Sequence, residues 1–209
     1  SLLSYFISNR IVDLQTFTCG FLTNSKIPKH FDESDDADLI AKKLNVRNKS
    51  ILFDQKNLDE DLKILFEIIE EPRLGFSLPN LKIAQFIKKN NYRVVISGAG
   101  GDEMFGGYQW RYKTAFLSKN KNEFIKNFFT HNFRFNIEDL NLLFSPIKSF
   151  LKKKFNIKTF NTIFKHLNNN SKQDDFIKSC FLYDINYFLE SYRILEYKIS
   201  MSQSIETRV

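Results

Sequence analysis

The sequence predicts an α/β fold, a parallel sheet covered by helices, continued by an all-helical C-terminal portion. Three observations carry that expectation. Short apolar runs alternate with amphipathic ones through the first half, the pattern left when strands and crossover helices follow one another. All 7 glycines, at positions 20, 75, 98, 100, 101, 106 and 107, lie before residue 108. From Arg111 onward the chain has no glycine and sets Phe and Leu at mixed three- and four-residue spacings, which is helical periodicity.

The strands are read at Leu14 to Cys19 and Tyr92 to Ile96, with Ser50 to Phe53 a shorter candidate. Between them, Ser34 to Leu44 opens on a capping-type serine and acids and sets Ala37, Ile40, Ala41 and Leu44 on one face. Asn57 to Ile69 repeats the pattern with Leu58, Leu62, Leu65, Ile68 and Ile69, and its Asp59, Glu60 and Asp61 suit the positive end of a helix dipole. A third helix follows Pro79, carrying Leu81, Ala84 and Ile87 and ending on Lys88 and Lys89. Breaks in the helical portion are expected near Pro146 and at Asn168 to Ser171. The expected division is a nucleotide-binding core over 1–112, a basic helical region over 113–178 and a helical return over 179–209.

Composition excludes several classes. A chain of 209 residues, 43% hydrophobic and 26% charged, buries a core and is neither disordered nor collagen-like. Its apolar runs fall far short of the roughly 20 residues a membrane helix needs, so no membrane partner is expected. Cys19 and Cys180 show no ligand or disulfide spacing, and a reducing, cytoplasmic setting follows as the expectation. The net charge of +7 is concentrated: Arg111 to Lys172 holds 13 basic and three acidic residues. Solvated helix faces account for this, and no nucleic-acid partner is expected; the competing reading is an anionic surface or nucleic acid meeting Lys152, Lys153 and Lys154. The 11 phenylalanines from Phe116 to Phe164 read as interhelix packing before base stacking.

Chemistry concentrates in SGAGGDEMFGGY, Ser97 to Tyr108, entered directly from the last predicted strand. Loops beyond the carboxyl ends of parallel strands are where such sheets bind ligands. Gly98, Gly100 and Gly101 allow a phosphate or ribose to approach main-chain N–H groups, and Asp102 supplies a hard oxygen of the kind that holds Mg²⁺. Glu103 either joins it or caps the following helix. No GKS or GKT follows, and GxGxxG spacing is not met, which sets aside the common phosphate loop and dinucleotide readings.

This loop resembles the SGxGxDExFxGY signature of the synthetase domain of glutamine-hydrolysing asparagine synthetases. Three further stretches resemble the same family in order: FTCGF at 17 to 21 with FDES at 31 to 34, EEPRLGFSLPN at 70 to 80, and ISMSQSIETRV at 199 to 209. The resemblance implies a Rossmann-like fold of the adenine nucleotide alpha-hydrolase (PP-loop) type, with ATP and Mg²⁺ as cofactors. It implies an ATP-dependent ligase that adenylates the carboxylate of aspartate or a related acid and passes the acyl group to ammonia from glutamine, releasing AMP and pyrophosphate. By position, Cys19, Ser97, Gly98, Gly100 and Gly101 would contact nucleotide, Asp102 would hold the metal, and Asp102 and Glu103 are the candidate catalytic residues.

The same resemblance aligns Ser1 to Ser4 with the last serine of a phosphate loop and the start of its helix. It leads us to expect a preceding strand and an N-terminal glutaminase domain in an intact chain, with this stretch alone inactive; a homodimer is compatible with it. Two departures bear on the substrate. Ala99 stands where asparagine synthetases carry glutamate, and Tyr197 where aspartate is frequent before the basic Lys198. Open alternatives are therefore a related ligase with a different acceptor, such as a cell-surface polysaccharide or an internal amine that closes a ring, and a catalytically defective nucleotide-binding relative.

Overall fold

The computed structural model describes residues 2–22, 32–54, 56–71, 76–133 and 162–208. They form two compact units, Ser1–Gly98 with Tyr192–Val209, and Ala99–Ser191. The second unit is thus inserted, in sequence, between the two pieces of the first.

The first unit opens with helix α1 (Leu2–Ser8), then strand β1 (Gln15–Phe21), α2 (Ser34–Lys43), β2 (Arg47–Phe53), α3 (Leu58–Ile69), α4 (Ser77–Lys89) and β3 (Val94–Ile96). β1 and β2 run parallel, in register from Gln15 against Arg47 to Phe21 against Phe53. β2 begins earlier than its apolar run. Arg47, Asn48 and Lys49 carry no alternation to read, yet Asn48 Oδ1 accepts the Thr16 hydroxyl at 2.8 Å and the Thr18 hydroxyl at 3.2 Å, so the ladder is extended by polar side chains. α4 starts two residues ahead of Pro79, which sits in its first turn, where a missing N–H costs nothing.

Two expectations need correction. Among the described residues the strands form two sheets rather than one: β1 and β2 make one two-stranded parallel sheet, β3 and a further strand another. Hydrophobic periodicity marks which segments extend but says nothing about which edges meet. The C-terminal portion is also not all-helical, because β4 (Glu206–Arg208) pairs in parallel with β3, Val94 against Glu206 through Ile96 against Arg208. Its three residues, Glu-Thr-Arg, are too few and too polar to announce a strand. Each sheet keeps one edge without a partner among the described strands.

The core of this unit is Leu65 and Ile69 of α3, Leu81, Ala84 and Ile87 of α4, with Leu195, Ile199 and Ile205 from the chain's return. These are the apolar faces the sequence assigned to the second and third helices. Phe17 of β1 joins them edge-on to Phe86 and Tyr92. Lys82 of α4 donates to the buried Asp61 of α3 at 2.6 Å, tying the two helices by an ion pair.

The second unit is helical among its described residues: α5 (Gly101–Phe105), α6 (Gln109–Leu117), α7 (Lys121–Phe133) and α8 (Gln173–Tyr183). A six-residue π-helical segment, Asp184–Leu189, leads into α9 (Glu190–Ser202), which carries the chain back to the first unit's sequence. The break expected at Asn168 to Ser171 is a turn, while Pro146 and Lys152 to Lys154 lie outside the described residues. Phe124, Phe128, Phe164 and Phe176 are the centre of the core, with Phe124 stacked on Phe176 at 4.7 Å and Phe128 edge-on to Phe164 at 5.3 Å. Phe116, by contrast, faces solvent.

Truncating Phe124 to Ala removes a fully buried ring from this cluster and should cost about 3–5 kcal/mol. Leu117→Ala, at an exposed position, should stay within about 0.5 kcal/mol. Chemical denaturation of the two variants beside the wild type measures both.

Candidate functional site

β3 delivers the chain to the glycine-rich loop, and β4 fixes where that delivery ends. The Ser97 N–H donates to the Arg208 carbonyl at 2.8 Å, carrying the β3–β4 pairing one residue past Ile96. Ser97 and Gly98 then line a cleft of about 630 Å³ within the first unit, whose other walls include Thr16, Phe17, Asn80 and Glu196. A Cβ placed on Gly98 would meet nothing within 4 Å, so its backbone faces open space.

Glu196, on α9, is a cleft residue that reading the sequence did not single out. The Ser97 hydroxyl hydrogen-bonds its carboxyl, while Oε2 is buried and has no partner among the described residues. Burial pushes the carboxyl above the usual range, and the Ser97 bond offsets this only in part. Nothing local distinguishes it: a glutamate in Leu-Glu-Tyr-Lys reads as a solvated helix position.

Cys19 occupies the fifth position of β1 and is half-buried. Burial, with Asp32 nearby, pushes its thiol up to about 11. Asp32 secures the end of this strand. Its Oδ2 accepts the Phe21 N–H and its Oδ1 the Ser34 N–H, both at 3.0 Å, so one carboxylate joins β1 to the start of α2. Those amide bonds hold the Asp32 carboxyl below its ordinary value. Cys19 is not among the residues of the Ser97 cleft wall.

The turn that follows belongs to the second unit. Gly100 has φ 90°, a left-handed conformation that side chains resist, and it sits immediately before α5. Glu103 reaches back: Oε2 accepts the Gly100 N–H at 3.1 Å, and Oε1 accepts the Tyr108 hydroxyl at 2.5 Å. Of the two roles open to Glu103, metal ligand or helix cap, its buried geometry is that of the cap. Asp102, one residue earlier, is exposed. Gly107 lies against it so closely that an added Cβ would come within 2.6 Å of the Asp102 carboxyl carbon.

The arrangement fits Mg²⁺ better than a protein-caged metal. No ion pair engages Asp102 among the described residues, and no group of three or more His, Cys, Asp or Glu gathers anywhere among them. Mg²⁺ characteristically takes one or two carboxylates and completes its shell with waters and substrate phosphates. Gly101, where an added Cβ would meet nothing within 4 Å, leaves space beside Asp102. The structure therefore gathers Ser97 and Gly98 at one cleft, and Gly100, Gly101, Asp102 and Glu103 in one turn. No described helix is long and apolar enough to cross a membrane.

Comparison with known proteins gives two findings. A family model described as "Asparagine synthase" matches residues 1–209. A curated protein of Methanocaldococcus jannaschii, named "Putative asparagine synthetase (glutamine-hydrolyzing) 1", is 23% identical over 122 residues, covering 57% of this chain and 22% of that protein. The match thus spans about a fifth of the relative's length.

Two solution measurements check this geometry. With Cys180 replaced by Ala, alkylation of Cys19 by iodoacetamide should rise with pH towards a midpoint near 11. Asp32→Asn removes the neighbouring anion and should move that midpoint down. For Glu196, the folded carboxyl titrates above its unfolded value of about 4.3, so its contribution to stability is present below that pH and is lost as pH rises. Glu196→Gln should accordingly match the wild type near pH 4 and be more stable at pH 7 to 8, read from denaturation midpoints across that range.

Proposed function

The chain belongs to the asparagine synthase family, and from that premise we propose that it is the nucleotide-binding part of an ATP-dependent carbon–nitrogen ligase. The observation that carries this reading is the Ser97 to Tyr108 segment. A strand end opens on a cleft, a left-handed glycine leads into a helix start, and an exposed carboxylate stands free at that start.

In the reaction proposed, a substrate carboxylate oxygen attacks the α-phosphorus of ATP. The bond to the bridging oxygen breaks and pyrophosphate leaves. A nitrogen nucleophile then adds to the carbonyl carbon of the acyl-adenylate, gives up its proton, and AMP departs. When bound, Mg²⁺ would offset negative charge on the phosphates. This chain's own residues do the rest. Main-chain N–H groups at Ser97, Gly98, Gly100 and Gly101 bind and align the nucleotide, with the main chain at Cys19 meeting its base. Asp102 holds the cation, and Glu103 keeps the turn in shape. Aspartate or a related acid is the acyl substrate, and ammonia from glutamine, released by an N-terminal glutaminase domain of the intact protein, is the nitrogen donor.

One residue favours a second acceptor. Ala99 has a methyl group where a carboxylate would otherwise manage the proton of the incoming amine, and a methyl group accepts no proton. This supports a ligase of the same chemistry with a different nitrogen nucleophile, such as an amino sugar of a polysaccharide or an internal amine.

Calorimetric titration with ATP in the presence and absence of Mg²⁺ tests the common core of both readings. Binding should require the cation, and Asp102→Asn should weaken it about tenfold, or 1.4 kcal/mol. Absence of ATP binding in the intact protein, or an Asp102→Asn variant that binds ATP with the same affinity and the same Mg²⁺ dependence as the wild type, removes the proposal. Amide formation assayed with ammonium and with amino sugars separates the two acceptors.

A further inference from the structure

The second unit contains an ion pair that its core packing does not require. Arg111 of α6 and Asp184, the first residue of the π-helical segment, are both almost wholly buried and paired through Nη1 and Oδ1. Asp184 Oδ2 accepts the Tyr112 hydroxyl at 3.0 Å. The guanidinium is enclosed by four rings, with its central carbon 4.7 Å from the centroid of Tyr108, 4.8 Å from Trp110, 5.2 Å from Tyr183 and 4.7 Å from Phe188.

Such a pair is a poor source of stability, since removing two charges from water costs about as much as their attraction returns. A π-helical turn is likewise uncommon and frequently marks a functional site. Here it brings Asp184 and Phe188 to the same guanidinium. What the pair provides is a fixed orientation. Arginine offers a rigid plane to stack on, where lysine would offer a mobile point charge.

That plane fixes the Tyr108 ring, also held edge-on by Phe188 at 5.4 Å. The Tyr108 hydroxyl donates to Glu103, and Glu103 accepts the Gly100 N–H. A continuous chain of contacts therefore runs from the π-helical turn, through Arg111 and Tyr108, to the glycine that opens α5.

We infer that Arg111 is a positioning residue for the turn that carries Asp102. Anchored on Asp184, it sets the Tyr108 ring, whose hydroxyl locks Glu103 and with it the direction in which the Asp102 carboxylate leaves the helix start. Its bearing on nucleotide binding rests on the proposed reading of Asp102 as the cation's ligand; its bearing on the turn does not.

The test uses Arg111→Lys, which keeps the charge and loses the plane, and Tyr108→Phe, which loses only the hydroxyl. Amide hydrogen exchange is followed at Gly100 and, as a reference, at Phe128 and Phe176 in the core helices, alongside MgATP titration of the whole protein. Each variant should speed exchange at Gly100 at least about tenfold with the reference amides unchanged, and weaken MgATP about five- to tenfold. The double variant should be no worse than the worse single one, because the contacts act in series. Unchanged Gly100 exchange in folded variants overturns the inference, as does an acceleration shared equally by the reference amides. If Arg111→Lys does not fold, Tyr108→Phe alone decides by the same criteria. Faster Gly100 exchange together with an Asp102→Asn variant that binds MgATP normally leaves the positioning role standing and removes the reading of Asp102.

Discussion

A single buried carboxylate organises the most informative stretch of this protein. Glu103 satisfies the amide of a glycine in a left-handed conformation and receives the hydroxyl of Tyr108, so three residues of one loop are held by two hydrogen bonds in a water-poor setting. Leaving either oxygen unpartnered there would cost about 1–3 kcal/mol or more, which is why the turn has little freedom to relax. The neighbouring Asp102 inherits its orientation from this arrangement and is itself left exposed. One acid serves architecture and its exposed neighbour is the proposed cation ligand. That division of labour lies in adjacent positions of the same dipeptide.

The same economy recurs in the first unit. Asp32 uses both oxygens on backbone amides and joins a strand end to a helix start, whereas Glu196 buries an oxygen with no partner among the described residues and titrates upward. A carboxyl that meets only the Ser97 hydroxyl among the described residues and leaves its other oxygen buried is the opposite of a structural clamp. Its place beside Ser97 marks the cleft as a setting in which a donor would be bound strongly.

Much of this was legible beforehand, and the limits have physical causes. Helices Ser34–Lys43 and Leu58–Ile69 declared themselves because acids at the start and apolar residues at three- and four-residue spacing act together. Ser97 and Gly98 could be placed just beyond a strand because Tyr92 to Ile96 reads as an apolar run, whereas Cys19, read as the last residue of its strand, lies two residues inside β1. β4 could not, since a three-residue strand of Glu-Thr-Arg is defined by the partner it meets rather than by its own composition. The π-helical segment was equally silent: Asp-Ile-Asn-Tyr-Phe-Leu is an ordinary helical sequence by composition and spacing. Pairwise contacts between distant residues, such as Arg111 with Asp184, leave no periodic trace at all.

The pairing of β3 with β4 also governs when this protein can become itself. The strand that delivers the glycine-rich loop finds its only described neighbour in β4, on the other side of an entire intervening unit in sequence. A nascent polypeptide leaving the ribosome would hold Val94 to Ile96 without its β4 partner until Glu206 to Arg208 have emerged, with Val94 and Ile96 presenting apolar surface meanwhile. Maturation of the glycine-rich loop therefore waits on the synthesis of β4, and the waiting strand is the place where a chaperone has most to protect.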